Sequence, residues 1–225
     1  MPRRPVLILV LALALGLTSA RAQEPYPTPG SETGPVAASQ LVLAERLFRM
    51  ATRTGDPVLL LAAIRLARGV TQRPAVGWDR TTAPEAGIPT GDGLPDPASA
   101  AALTMLQGLA ADDPDLQDMV YDLDAQLPTG RLPVATVAIS GLGGGAEEVW
   151  RVPLSGSVAA EIAVIGAPEI SLGLTVTDDS GTVVCARPAT TDPALCRFVP
   201  SRNGFFSVRV GNAGEASGGY RLIGN

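Results

Sequence analysis

Residues 170–177 read Ile-Ser-Leu-Gly-Leu-Thr-Val-Thr, and this stretch decides the fold class. Its large apolar residues alternate with Ser, Gly and Thr, which is the two-residue period of a strand with one buried and one solvated face. Residues 205–210, Phe-Phe-Ser-Val-Arg-Val, repeat the pattern and place Phe206, Val208 and Val210 inside. Strands with one dry face need a second sheet to cover that face, so the pattern predicts a two-layer sandwich.

Similar segments fill the chain after Pro128-Thr129-Gly130, with Gly, Pro, Asn or Asp between them. We predict about eight strands in this part of the chain. They cover residues 134–140, 147–154, 158–165, 170–177, 182–185, 195–199, 205–210 and 219–223. The sequence therefore predicts an antiparallel, jelly-roll-like β-sandwich domain over residues 132–225.

The preceding residues, 40–127, have a helical pattern instead. Apolar residues recur at three- and four-residue steps, and Asp-Pro pairs at Asp56, Asp96 and Asp113 are typical helix starts, because Asp accepts free amides and Pro suits the first helical position. We predict about four short helices, with a long Pro- and Gly-rich loop at residues 71–95. The expected fold class is thus α+β with two domains, a small N-terminal helical array followed by the sandwich.

The N-terminus has the composition of an export signal. Arg3 and Arg4 precede a short apolar run, and Ala20-Arg21-Ala22 places small residues where signal peptidase needs them. We predict a signal peptide at residues 1–22, cleavage after Ala22, and a flexible leader at residues 23–39. The protein is then expected in the periplasm or outside the cell.

Composition limits the partners. Removal of residues 1–22 takes away three Arg and no acid, which leaves 14 Arg against 22 acidic residues and changes the net charge from −5 to −8. An acidic chain has no general electrostatic affinity for nucleic acid, so none is expected. The apolar run at residues 6–17 is shorter than the roughly 20 residues of a spanning helix, so we expect no membrane span in the mature chain.

The two cysteines, Cys185 and Cys196, are expected to form a structural disulfide, because export places them in an oxidising compartment. A redox-active pair is the alternative. Such pairs usually have the spacing C-x-x-C, whereas ten residues lie between these two.

Three pieces of the C-terminal part resemble the bacterial pre-peptidase C-terminal domain. They are Ile139-Ser140-Gly141-Leu142 with residues 147–152, the hairpin at residues 174–184, and residues 204–210 with residues 217–222. The resemblance covers about residues 132–225 and implies a jelly-roll-like, non-catalytic accessory module that assists folding, secretion or contact with a substrate surface. The chain departs from that family at Val149-Trp150 and in its added cysteine pair.

The outward side of the strand at residues 205–210 is a candidate contact surface. It carries Phe205, Ser207 and Arg209, and an aromatic residue with Arg is a common composition of binding anchors. The alternatives are a singly exposed Phe or one lying beneath the helical domain. Trp78, in the long loop, is a further candidate, although an indole packed against the helices is the interpretation that we favour.

Charge is polarised along two predicted helices. Arg46, Arg49 and Arg53 form a basic stripe, and Asp115, Asp118 and Asp122 form an acidic stripe at the same spacing. Either stripe could dock a partner. We favour stripes that are solvated or that face each other inside the domain.

Chemistry is limited by the absence of His and Lys from the whole chain. This excludes a Ser-His-Asp triad, His metal ligands and a Schiff-base Lys. Asp178 and Asp179 are weak candidates for Ca²⁺ at what we interpret as a turn. No cofactor is expected, since the Gly-rich residues 141–146 precede a predicted strand and not a helix.

These observations predict an exported, non-enzymatic accessory or binding protein whose partner is a protein or an extracellular polymer. Two alternatives remain open. One is a hydrolase of unfamiliar type that uses carboxylates among Glu147, Glu148, Glu161 and Glu169, although their spacing selects no pair. The other is a structural component of the envelope.

Overall fold

The structure, a computed structural model, describes Tyr26 and residues 36–81, 95–125 and 132–225. The predicted signal peptide, its cleavage site and most of the predicted leader lie outside these residues. The helices are α1 (Ala37–Thr54), α2 (Pro57–Arg68), α3 (Ala100–Leu109) and α4 (Pro114–Ala125). The strands are β1 (Thr71–Pro74), β2 (Asp79–Arg80), β3 (Val134–Leu142), β4 (Glu147–Leu154), β5 (Ala160–Gly166), β6 (Leu172–Thr177), β7 (Val183–Thr190), β8 (Ala194–Phe198), β9 (Gly204–Asn212) and β10 (Gly218–Gly224).

Two of the three Asp-Pro pairs start a helix as predicted. The Asp56 carboxylate accepts the amides of Val58 and Leu59, and Asp113 accepts that of Leu116. The prediction for Asp96 is wrong, because α3 begins after Ser99, whose hydroxyl accepts the amide of Ala102.

The strands form two five-stranded sheets, and they confirm the predicted sandwich. The first sheet has the order β1-β3-β10-β5-β8, and the second has the order β2-β4-β9-β6-β7. Two short strands fall inside the predicted loop 71–95, which is therefore not wholly irregular. Since β1 pairs with β3 and β2 pairs with β4, they supply hydrogen-bond partners to strands that would otherwise lie at the sheet edges.

The main hydrophobic core lies between the two sheets, and a disulfide bond connects the sheets at one side. The predicted inward residues Phe206, Val208 and Val210 are buried there. Cys185 of β7 is bonded to Cys196 of β8, with 5.9 Å between their Cα atoms, as the sequence predicts. Because β7 and β8 end their respective sheets, this bond ties the two layers together along one side.

Helix α1 and the end of α2 cover part of the outer face of the first sheet. Residues of α1, including Ala38, Leu41 and Val42, share a buried cluster with Ala163 and Ile165 of β5. Consequently β5 is buried on both faces, whereas the sequence analysis expected one solvated face for each strand. The continuous apolar run at residues 162–165 was the signal for double burial. The domain boundaries at residues 40–127 and 132–225 stay a prediction.

A buried carboxylate fixes the start of α1. Val36, which precedes the helix, provides no side-chain cap. Instead Glu161 of β5, only 1% exposed, accepts the amides of Ala38 and Ser39 at 3.1 Å each and the Ser39 hydroxyl at 2.8 Å. Arg197 of β8 lies 3.0 Å from the same carboxylate. A negative charge at a helix N-terminus is favourable, so this contact orients α1 on the first sheet.

Loss of the disulfide should destabilise the sandwich. A Cys185→Ala/Cys196→Ala variant is expected to lose about 3 kcal/mol of unfolding free energy, because the bond closes a short loop and joins the two sheets. Urea denaturation with and without reductant measures the change. Reductant should shift the wild-type midpoint toward that of the variant and leave the variant unchanged; equal midpoints for oxidised and reduced wild type would contradict the prediction.

Replacement of the capping carboxylate should destabilise the helices on the sheet. We expect Glu161→Gln to cost about 2 kcal/mol, because it removes the buried charge that faces Arg197 and the α1 amides. Glu169→Gln is the matched control, since Glu169 is exposed. Urea denaturation compares the two variants, and equal midpoints would show that the cap does not contribute.

Candidate binding surface

The outward side of β9 is exposed as the sequence predicts. Phe205, Ser207 and Arg209 are exposed, and the residues between them are buried. Phe205 is 42% exposed, so it does not lie beneath the described helices. The helices pack on the first sheet, where α1 contacts β3, β5, β8 and β10, whereas β9 belongs to the second sheet.

A guanidinium holds the ring of Phe205. Arg151 projects from β4, which pairs with β9 so that Arg151 lies opposite Ser207. Its guanidinium carbon lies 3.8 Å from the centroid of the Phe205 ring, within the range of a cation–π contact. The contact orders two exposed side chains before any ligand arrives, which lowers the entropic cost of binding.

Further along β9 lie an ion pair and a cavity. Arg209 and Glu147 form a salt bridge of 3.0 Å in which both side chains are 57% exposed. Such a pair contributes little to stability and can open for a ligand. Beside it is an open cavity of about 300 Å³, lined partly by Gly173 and Gly211. We name Arg151, Phe205, Ser207, Arg209 and this cavity the β9 strip; at about 3.4 Å per residue, it is roughly 20 Å long.

Trp78 lies elsewhere. Its half-buried indole packs against the core of the sandwich and not where the sequence analysis placed it, on the helices. The ring fills the space above Gly224, where an added Cβ would lie 2.9 Å from it. This packing accounts for the residue without a ligand.

The basic stripe of α1 is not a free docking surface. Arg49 is buried, binds Glu45 at 2.8 Å and donates to the carbonyl of Thr191, while Arg46 donates to the carbonyl of Pro193. The expectation of a solvated stripe is wrong for Arg49, because it supplies hydrogen bonds to loop carbonyls where α1 meets the sandwich. Arg53 is exposed.

Two more groups complete this buried cluster. Arg221 of β10 binds Glu45 at 2.9 Å, and it also binds Asp96. Asp96 thus joins the segment before α3 to the sandwich. The sequence analysis missed this role, because partners so distant in the chain leave no local pattern.

The acidic stripe of α4 faces solvent. Asp115, Asp118 and Asp122 are exposed, and so are two large apolar neighbours on the same helix, Met119 and Tyr121. The basic stripe does not have the acidic stripe as its main partner, because Arg46 and Arg49 bind carbonyl groups of the sandwich. Whether α4 docks a partner stays a prediction.

Asp178 and Asp179 serve the turn between β6 and β7. Asp178 accepts the amides of Ser180 and Thr182, whereas Asp179 binds Arg202 at 2.5 Å. Within the described ranges, no group of three or more acidic or cysteine side chains is placed to hold a metal ion. The two carboxylates thus have the turn and ion-pair roles that their positions allow.

Three of the four candidate carboxylates lie in different layers, and the fourth, Glu169, is exposed between β5 and β6. Glu147 is on the outside of the second sheet, Glu148 is between the sheets, and Glu161 is beneath α1. Glu148 binds Arg80 at 2.7 Å and accepts the hydroxyl of Tyr220. Burial, and then this hydrogen bond, hold the pKa of Tyr220 well above its usual value. Since separate layers hold these carboxylates, they do not converge on one cavity.

The Gly-rich loop has a structural role. Residues 143–146 link β3 of the first sheet to β4 of the second, so the loop crosses between layers. Gly144 lies against the backbone of Glu215, where an added Cβ would be 2.3 Å from a carbonyl oxygen. No helix follows that could present amides to a phosphate.

Among the described residues, the longest apolar helices are too short or too polar to cross a bilayer. No family model matches the chain, and no curated protein matches it.

Several solved structures are similar to part of the chain. One is the pre-peptidase C-terminal domain of a collagenase from Bacillus anthracis, with 17% identity and a TM-score of 0.35, covering 39% of this chain and 87% of that domain. The family that the sequence resembles is thus represented among the structural matches. A periplasmic inhibitor of g-type lysozyme from Aeromonas hydrophila has 8% identity and a TM-score of 0.32, covering 45% and 91%. A CBM61 module in complex with β-1,4-galactotriose has 13% identity and a TM-score of 0.25, covering 40% and 77%.

Proposed function

We propose that this protein is an exported, non-enzymatic binding or accessory protein whose sandwich holds an extended extracellular polymer on the β9 strip. The observation that carries the proposal is the exposed ring of Phe205, held by Arg151 on the sheet face that the described helices leave open. Export places the protein in the periplasm or outside the cell, where such polymers occur.

The chemistry of the β9 strip suits a chain of rings with polar substituents. The ring of Phe205 offers apolar contact, and Ser207, Arg209 and Glu147 offer donors and acceptors along one line. Gly173 and Gly211 line the cavity beyond them, where the absence of side chains leaves room for a bulky unit. A polysaccharide is therefore the ligand class that we would test first, with an extended polypeptide as the alternative.

The helical part supplies the second contact in this proposal. On α4, three exposed carboxylates surround Met119 and Tyr121, and Tyr121 is 75% exposed. A mixture of acidic and large apolar groups suits a protein surface with basic residues around an apolar centre. Because the helices cover the first sheet and the β9 strip lies on the second, both contacts can be made at once.

Truncation of the anchor should weaken polymer binding. We expect Phe205→Ala and Arg209→Ala each to reduce affinity about tenfold, because each removes a central contact worth roughly 1 to 2 kcal/mol. The measurement is affinity electrophoresis in gels that contain xylan, galactan, mannan or dextran, together with co-sedimentation with peptidoglycan sacculi. A peptide library presented in extended form provides the polypeptide arm of the same test.

Ile139→Ala is the matched control, since Ile139 is an exposed apolar residue of the first sheet and is 66% exposed. It should bind as the wild type does. Equal retardation of all three variants, or no retardation of the wild type by any probe, would count against the β9 strip as a polymer site. Release of soluble sugar or peptide during the assay would instead support the hydrolase alternative.

A further inference from the structure

Tyr26 occupies one end of the sandwich. Its ring packs edge-on against Phe198 of β8 and Phe206 of β9, with centroid distances of 6.3 and 6.2 Å. Those two rings belong to different sheets and lie 5.6 Å apart, so Tyr26 covers the place where the layers meet. The sequence analysis assigned this residue to a flexible leader at residues 23–39, and the structure corrects that assignment for Tyr26 and for residues 37–39, which begin α1.

The hydroxyl of Tyr26 is recognised separately from its ring. It donates to one carboxylate oxygen of Asp178 at 2.5 Å. The other oxygen of Asp178 accepts the amides of Ser180 and Thr182 and the hydroxyl of Ser180. The turn therefore holds the carboxylate in position whether or not the phenol is bound. The Asp178 carboxylate is thus held ready to accept a hydrogen bond beside the rings of Phe198 and Phe206. A rigid acceptor next to an apolar surface suits the binding of a phenol.

The protonation states of Asp178 and Tyr26 favour this hydrogen bond near neutral pH. The hydrogen bond from Ser180, followed by that from Tyr26, lowers the pKa of Asp178 to about 2. Burial, with the neighbouring Asp178, raises the pKa of Tyr26 above its usual value. The carboxylate is thus an ionised acceptor and the phenol a neutral donor, and a charged acceptor makes the stronger type of hydrogen bond.

The covalent link to this site is long. Nine residues, 27–35, separate Tyr26 from Val36 at the start of the helices, and 152 positions separate Tyr26 from Asp178. A tether of this length provides an effective concentration in the millimolar range, according to general linker behaviour. A side chain joined to its site through such a tether competes with free tyrosyl groups at about that concentration.

We propose that this end of the sandwich is a binding site for a tyrosyl side chain. Tyr26 fills it within one chain, and the same segment of a second copy can fill it in trans. The ring is recognised by Phe198 and Phe206, and the hydroxyl by Asp178. The site is distinct from the β9 strip, because it lies between the sheets at their end and not on the outer face.

The test uses the full chain with the tethered ligand removed. Tyr26→Ala is titrated with a peptide of residues 23–30, Gln-Glu-Pro-Tyr-Pro-Thr-Pro-Gly, and binding is followed by the amide shifts around Asp178 and Phe206 in NMR spectra. We expect a dissociation constant of about 0.1 mM or below, because the millimolar effective concentration of the tether then keeps Tyr26 bound in most molecules. Wild type should bind the peptide at least about tenfold more weakly, since its own Tyr26 competes.

Two further comparisons test the hydrogen bond between the tyrosyl hydroxyl and Asp178. A peptide with Phe in place of Tyr should bind about tenfold more weakly, because it lacks the donor to Asp178. Asp178→Asn in the Tyr26→Ala background should bind the tyrosyl and phenylalanyl peptides almost equally. Asp179→Asn, the matched control on the adjacent residue, should retain the preference, since Asp179 faces Arg202.

Absence of peptide binding to folded Tyr26→Ala would overturn the proposal, as would equal binding by that variant and wild type. Unfolding of Tyr26→Ala would also overturn it, because Tyr26 would then be a core residue and not a ligand. Polymer binding at Phe205 is measured separately, so failure of one site does not decide the other.

Discussion

The placement of Glu161 beneath α1 is the contact on which the rest of the arrangement depends. A carboxylate that is 1% exposed is costly to bury, and here each of its oxygens has partners. One set of partners is the free amides of a helix that has no cap of its own, and another is Arg197 on the neighbouring strand. The buried carboxylate requires hydrogen-bond donors, and the free amides of α1 require an acceptor. Because each supplies what the other lacks, α1 has one preferred position on the first sheet. Glu45, Arg49 and Arg221 then add a second polar contact between the same layers.

Coverage of the first sheet makes the sandwich asymmetric. The helices use part of its outer face, as the double burial of β5 shows, whereas the described helices leave the outer face of the second sheet open for other contacts. The disulfide between β7 and β8 ties the layers on one side, and Tyr26 covers their junction at an end. A platform tied in this way should move little on binding, which suits recognition by ordered side chains such as Phe205 and Arg151.

The sequence predicted the sandwich well, because strand alternation is a local property. Residues 205–210 alternate as expected, and the cysteine pair is bonded as expected. Contacts between residues that lie far apart in the chain could not be predicted from the sequence. Arg49 reads as one member of a surface stripe, and only the fold places the carbonyl of Thr191 beside it. Glu161 likewise reads as a free carboxylate, because the amides that it caps lie more than 120 residues away in the chain. Short strands such as β1 and β2 were missed for a related reason, since they are strands only through pairing with β3 and β4.

The positions of the charged residues, buried or exposed, bear on function. Several of the charges in the chain stabilise contacts between layers: Glu161 beneath α1, Arg49 and Arg221 around Glu45, and Glu148 with Tyr220. Carboxylates and guanidiniums that are buried and paired in this way are poor candidates for acid–base chemistry, which needs an accessible group. By contrast, Arg209 and Glu147 form an exposed pair that a ligand can separate at small cost. Among the described residues, the exposed charges include Arg209 and Glu147 in the second sheet and Asp115, Asp118 and Asp122 on α4, where a partner can reach them.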